Sequence, residues 1–143
     1  MTEKRKWIWT DRKAILTIVI LAVCAILLFF GIKEPDIQLV DQQIQIHGMY
    51  GMKIDFADVK NLTLVEKSMR EIGIGRRTNG FGGIGSTLKG NFESASLGKH
   101  KLFVNADASP TIFIERNSGV DLYISFHDSQ KTRDLFAELR EIQ

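Results

Sequence analysis

AILTIVILAVCAILLFFGI, residues Ala14 to Ile32, carries no charge and a single hydroxyl, at Thr17. At about 1.5 Å of rise per residue, these nineteen residues make a helix of roughly 28 Å, close to the hydrocarbon thickness of a bilayer. A helix in the core of a small soluble domain would show a polar face, and this one has none. The stretch therefore predicts a transmembrane helix over 14–32, preceded by a stub at 1–13 and followed by a linker at 33–40 and a domain at 41–143. Thr17 can return its hydroxyl to a carbonyl one turn back, so it does not oppose insertion. A cleaved signal would have a shorter apolar region ending in small residues. Here the run ends in Phe29-Phe30-Gly31-Ile32-Lys33, and an uncleaved anchor is expected.

Charge sets the expected orientation. Lys4, Arg5, Lys6, Arg12 and Lys13 precede the run against Glu3 and Asp11, whereas Lys33, Glu34, Asp36 and Asp41 follow it. An excess of Lys and Arg marks the cytoplasmic flank. The expected localisation is thus a cell membrane, single-pass, with a cytoplasmic N-terminus and an extracytoplasmic C-terminal domain. Trp7 and Trp9 stand where an interfacial aromatic belt belongs. Cys24, the one cysteine, falls mid-span as a small apolar residue. It has no partner for an intramolecular disulfide, so the outer domain depends on its core.

Residues 33–143 are enough for one hydrophobic core and too few for two. Once the stub's five cations and two anions are set aside, 14 Lys plus Arg stand against 15 Asp plus Glu. That near-neutral balance argues against a nucleic-acid partner. Most of the domain alternates with period two. Ile44 and Ile46 alternate with glutamines, and Met52, Ile54 and Phe56 with Lys53 and Asp55. Leu62 and Leu64, Leu102 and Val104, Ile112 and Ile114, and Leu122, Ile124 and Phe126 continue the pattern. Alternation of this kind marks strands with one face on a core. Gly48-Met49-Tyr50-Gly51, Asn79-Gly80, Leu97-Gly98, Ser109-Pro110 and Asn117-Ser118-Gly119 read as the turns between them. The last segment changes period: Asp128 or Ser129 can cap a helix, and Leu135, Phe136, Leu139 and Ile142 fall on one face of it. The expectation is about seven antiparallel strands in a curled sheet or barrel, closed by one C-terminal α-helix.

The stretches HGMYGMKIDFADVKNLTLVE, RRTNGFGGIGSTLKGNF, GKHKLFVNADASPTIFIE and DLYISFHDSQKTRDLFAEL resemble the bacterial pleckstrin-homology-like (PH-like) domains found behind membrane anchors. The resemblance covers about residues 41 to 142, and the R-T-N-G-F-G…G-x-F block is its most specific part. It implies a PH-like fold and a non-catalytic binding or assembly module. Phosphoinositide-binding members of the wider superfamily carry several cations between the first two strands. Here that loop is Gly48-Met49-Tyr50-Gly51, and two or more cations are needed to chelate adjacent phosphates. Phosphoinositide is therefore rejected as a ligand.

Six glycines, at 73, 75, 80, 82, 83 and 85, crowd thirteen residues. Neither a dinucleotide fingerprint nor a P-loop can be read there. The stretch reads as a long loop using glycine for positive φ, with Arg76, Arg77, Thr78, Asn79 and Phe81 as a candidate partner-binding surface. Lys89 is the further candidate, and with Arg76 and Arg77 it would serve an anionic ligand. Lys99-His100-Lys101 reads as a solvated edge. His47, His100 and His127 lack metal-ligand spacing, and Ser86 lacks a nucleophile-elbow context. No catalytic residue, metal or cofactor is expected. The expected partner is a protein or a second copy. Lipid or an anionic envelope polymer is the alternative, and a small hydrolase the remote one.

Overall fold

Helix α1 (Thr2–Ile32) forms because straight-chain and apolar residues run on with no proline and no glycine before Gly31. The computed structural model describes residues 2–143, with side chains described from Asp11 onward. The stub cations at 4–6, Trp7 and Trp9 thus lie outside the described side chains. Asp11–Ile32 is long and apolar enough to cross a membrane, with a mean hydropathy of 3.2 over an eighteen-residue stretch of it. The Thr17 hydroxyl does return to the Lys13 carbonyl, at 2.8 Å, and Cys24 is free and exposed. From Ile15 to Phe30 the large apolar side chains are exposed, which is the surface a hydrocarbon solvent requires.

The chain divides into two compact units, one ending at Gly31 and the other spanning Ile32–Gln143. The second is built of two sheets and a C-terminal helix. In the smaller sheet β1 (Asp36–Val40), β2 (Gln43–His47) and β3 (Met52–Asp55) form an antiparallel meander. Its register sets Ile37 opposite Ile46, Leu39 opposite Ile44, and Ile44 opposite Ile54, so one face is wholly apolar. Asp41 and Gln42 turn β1 into β2 with φ of 51° and 61°, the left-handed pair a two-residue hairpin needs.

The larger sheet contains β4 (Val59–Val65), β5 (Arg76–Phe81), β6 (Thr87–Ser94), β7 (Gly98–Asn105), β8 (Thr111–Arg116) and β9 (Asp121–Ile124). Their order is β4-β8-β9-β7-β6-β5. Every neighbouring pair is antiparallel except β7 and β9. Helix α2 (Met69–Ile72) is a single turn closed by a capping box between Ser68 and Glu71. Helix α3 (Ser129–Ile142) starts at Asp128, whose carboxylate accepts from the Gln130 N–H at 2.9 Å.

Alternation along the central strands sends side chains into two cores. Ile112, Ile114, Leu122, Ile124 and Phe103 meet Ile44, Ile46 and Ile54 of the smaller sheet and Leu135 and Leu139 of α3. On the opposite face Leu102, Val104, Tyr123 and Phe92 pack with Met69. Each fully buried aliphatic or aromatic side chain contributes roughly 1.5–3 kcal/mol, so these two clusters hold the domain without a disulfide.

Three expectations change. Among the described residues there are nine strands in two open sheets, where about seven antiparallel strands in a closing barrel were expected. Residues 36–40, expected as linker, form β1: Ile37 and Leu39 alternate as strand residues should, but the preceding apolar run masks them. Asn79-Gly80, expected as a turn inside a long glycine loop, lies within β5. An edge strand with both faces wet shows no apolar alternation, so the pattern had nothing to detect.

Candidate functional site

Strand β5 is one of the two edge strands of the larger sheet, β4 being the other, and is paired to β6 on one side. Glycine sets how closely the two approach. Gly80 faces Gly90 in register, and a Cβ on Gly90, whose φ is +112°, would lie 2.6 Å from the Asn79 carbonyl oxygen. Only a glycine pair allows that contact. A bulge between Arg77 and Asn79 leaves Thr78 out of register, and its hydroxyl donates to the Asn91 carbonyl at 3.1 Å.

Arg76, Arg77, Thr78 and Asn79 are all exposed, while Phe81 is half-buried at the strand's end. Residues on both faces of β5 therefore stand clear of the cores, and β5 is held mainly by its ladder. Arg76 lies 3.8 Å from the Glu93 carboxylate. Arg77 donates to the Gly82 carbonyl at 2.8 Å and so braces the loop that follows. Beside the strand runs a hollow of about 330 Å³, lined by Thr78, Asn91, Phe92, Glu93, Lys99, His100 and Val120.

Lys89 does not join the arginines on the surface. It is 2% exposed, and its ammonium donates to the Lys33 carbonyl. Burial, and secondly the charge of Lys33, lower its pKa below the usual lysine value. The cluster expected for an anionic ligand is thus not assembled: Lys89 is buried, Arg77 is turned to a backbone carbonyl, and Arg76 lies beside a carboxylate.

Lys99-His100-Lys101, expected as a solvated edge, lies on β7 in the interior of the sheet. His100 is 1% exposed. Its ring nitrogens lie 2.9 and 3.0 Å from the Gly98 and Ile74 carbonyl oxygens. Phe92 stacks on it, Tyr123 meets it edge-on, and Phe113 stacks on Tyr123. The second nitrogen's contact joins β7 to the segment that enters β5. Sequence reading missed this role because a histidine between two lysines resembles a surface run; the alternation Lys99-His100-Lys101 is the signal that one side chain points inward.

A second cluster lies at the β8–β9 turn. Arg116 and Asp58 pair at 2.8 Å with both side chains largely buried, and Ser118 donates to Asp58 through its N–H and its hydroxyl, each at 2.8 Å. Both carboxylate oxygens of Asp58 are engaged within the fold, and the cluster reads as a brace between the 3-10 turn Phe56–Asp58 and the hairpin. The histidines at 47, 100 and 127 lie on β2, on β7 and after β9. Among the described residues no group of three or more His, Cys, Asp or Glu could hold a metal ion.

No family model, curated protein or solved structure matches the chain.

Proposed function

We propose that this protein is a single-pass membrane-anchored interaction module that recruits a protein partner by accepting an extended segment along β5. The observation that carries the reading is a sheet edge with four consecutive exposed residues, beside a hollow that Thr78 lines together with residues of β6 and β7. Backbone groups on such an edge supply affinity, and the hollow supplies selectivity. In this reading the span lies within α1, and the excess of cations before it favours a cytoplasmic N-terminus with the β domain outside. The PH-like resemblance implies binding without catalysis. The R-T-N-G-F-G…G-x-F block that carries that resemblance is the β5–β6 hairpin itself.

A protein is favoured over a lipid headgroup or an anionic polymer for an electrostatic reason. Glu93 lines the hollow and offsets Lys99 there, and Lys89 is withdrawn from the surface. Two experiments test the reading. Alkaline phosphatase and a fluorescent protein that matures only in the cytoplasm are fused in turn to the C-terminus; phosphatase activity with a dark fluorophore is expected. A photocrosslinker at Thr78 should capture a discrete protein in membranes, and the Arg76→Ala/Arg77→Ala/Phe81→Ala variant should lose it. Retention of every crosslink by that variant removes β5 from consideration. Binding that instead collapses with added salt assigns the site to an anionic ligand.

A further inference from the structure

The loop joining β5 to β6, Gly82-Gly83-Ile84-Gly85-Ser86, has no charge and carries one large apolar residue, Ile84, which is 47% exposed. Both ends of the loop are pinned. Arg77 holds the Gly82 carbonyl, and at the other end the Ser86 carbonyl accepts from the Ala106 N–H at 2.8 Å while the Ser86 hydroxyl donates to Asp107 at 2.5 Å. The tip is open: a Cβ on Gly83 or Gly85 would meet nothing within 4 Å.

A lone exposed isoleucine ordinarily needs no explanation. Its position here supplies one. The Thr87 hydroxyl, which opens β6, donates to the Ile32 carbonyl at 3.3 Å, and Lys89 donates to the Lys33 carbonyl. Ile32 is the last residue of the candidate span. Ile84 is three residues from Thr87, so the chain allows at most about 10 Å between them. The headgroup region on each side of a bilayer is itself about 6 Å deep. A span ending at Ile32 therefore tethers the root of this loop close to the end of the span.

We propose that the Gly82–Ser86 loop enters the bilayer interface as a second membrane contact, with Ile84 as the inserting side chain. The inference rests on reading α1 as a membrane span. One covalent anchor leaves a domain free to swivel; a second contact fixes its tilt, so the β5 edge is offered in one orientation to partners in the same membrane.

The test uses the full chain in phosphatidylcholine vesicles. In a Cys24→Ser background, Ile84→Cys carries an environment-sensitive fluorophore, and Ser96→Cys, at the far end of the β6–β7 hairpin, carries the same one. Vesicles are prepared with and without a lipid bearing a doxyl quencher high on its acyl chain, and association is checked by flotation. The expected result is blue-shifted emission at position 84 that loses more than half its intensity to the quencher, with position 96 unquenched. A floating chain whose position 84 is unquenched, or no more quenched than position 96, overturns the loop contact and leaves the anchor standing. A chain that does not float overturns the anchor reading, and the loop contact with it. Because Ile84 is exposed and its neighbours are glycines, the substitution does not threaten the core. The unlabelled wild type provides a second readout: amide exchange over 82–86 should be slower in vesicles than in a short-chain detergent, and equal rates overturn the proposal.

Discussion

Replacing Gly90 with alanine should release β5 from the sheet while the rest of the domain stays folded. The perturbation has two parts. Gly90 sits at φ +112°, outside the regions open to an L-residue, which costs roughly 1–3 kcal/mol. The added methyl also meets the Asn79 carbonyl oxygen and the Gly80 Cα, both at 2.6 Å, and neither is a flexible side-chain end that could move aside. Against this stands the β5–β6 ladder, with five register pairs. At a net ~1 kcal/mol for each backbone hydrogen bond, detaching β5 costs on the order of 5 kcal/mol, and little side-chain burial adds to it. The variant should therefore lose about 3–5 kcal/mol, with strand release capping the loss. Both tryptophans, Trp7 and Trp9, lie outside the β domain, so indole fluorescence would not follow this unfolding. Hydrogen exchange read by mass spectrometry is the suitable assay. Amides of Arg76–Phe81 should lose protection, while those of β7, β8 and β9 keep it. Gly83→Ala is the control: its φ is +91°, but the new Cβ meets nothing within 4 Å, so β5 should stay protected. Full protection of β5 in Gly90→Ala would refute the argument from close approach. In membranes, the same variant should lose the crosslink at Thr78.

Thr132 is fully buried and its hydroxyl accepts from the Phe126 N–H at 3.0 Å; Thr132→Val keeps the shape and orphans that donor, and should cost about 1–3 kcal/mol in urea denaturation followed by circular dichroism. Thr132→Ser keeps the hydroxyl and should cost less; the reverse order would show that the methyl group matters more than the bond. Gln42→Gly should stabilise by about 0.5–1 kcal/mol, because a left-handed L-residue costs roughly 1–2 kcal/mol and glycine's greater freedom in the unfolded chain offsets only part of that relief; a loss of stability would mean the Gln42 side chain matters in itself. The hydrogen bond from the Ser118 hydroxyl, then that from Arg116, hold the Asp58 pKa below the usual carboxylate value. Its folded value lies below its unfolded one, so its contribution is present above about pH 4 and lost as pH falls through the folded value. Asp58→Asn should flatten the acid limb of the stability profile, and an unchanged limb would assign acid sensitivity to other carboxylates.

The apolar run and the C-terminal helix were legible because each is a local pattern. A helix apolar enough to cross a membrane needs only uninterrupted hydrophobicity, and α3 announces itself through a capping aspartate and a stripe formed by Leu135, Phe136, Leu139 and Ile142. Strands with one buried face were legible for the same reason, as at Ile44 and Ile46 or Leu122 and Ile124. The candidate site was legible in part. Arg76 to Phe81 could be singled out as unusual, but not as a strand, since an edge exposed on both faces leaves no period in the sequence.

The sequence by itself determined that the chain joins one long apolar helix to one β-rich domain, because hydrophobic run length and period two are properties of consecutive residues. Tertiary structure alone decided which strands are neighbours, that β7 and β9 run parallel, and that the strands form two open sheets. Those outcomes depend on which apolar faces meet, as Ile54 meets the larger sheet and Met69 its reverse side, and no local pattern encodes that choice. The same holds for charge. Lys89 and His100 looked like surface residues in sequence, yet backbone carbonyls far along the chain, at Lys33 and Ile74, accept their hydrogen bonds and let the domain bury them.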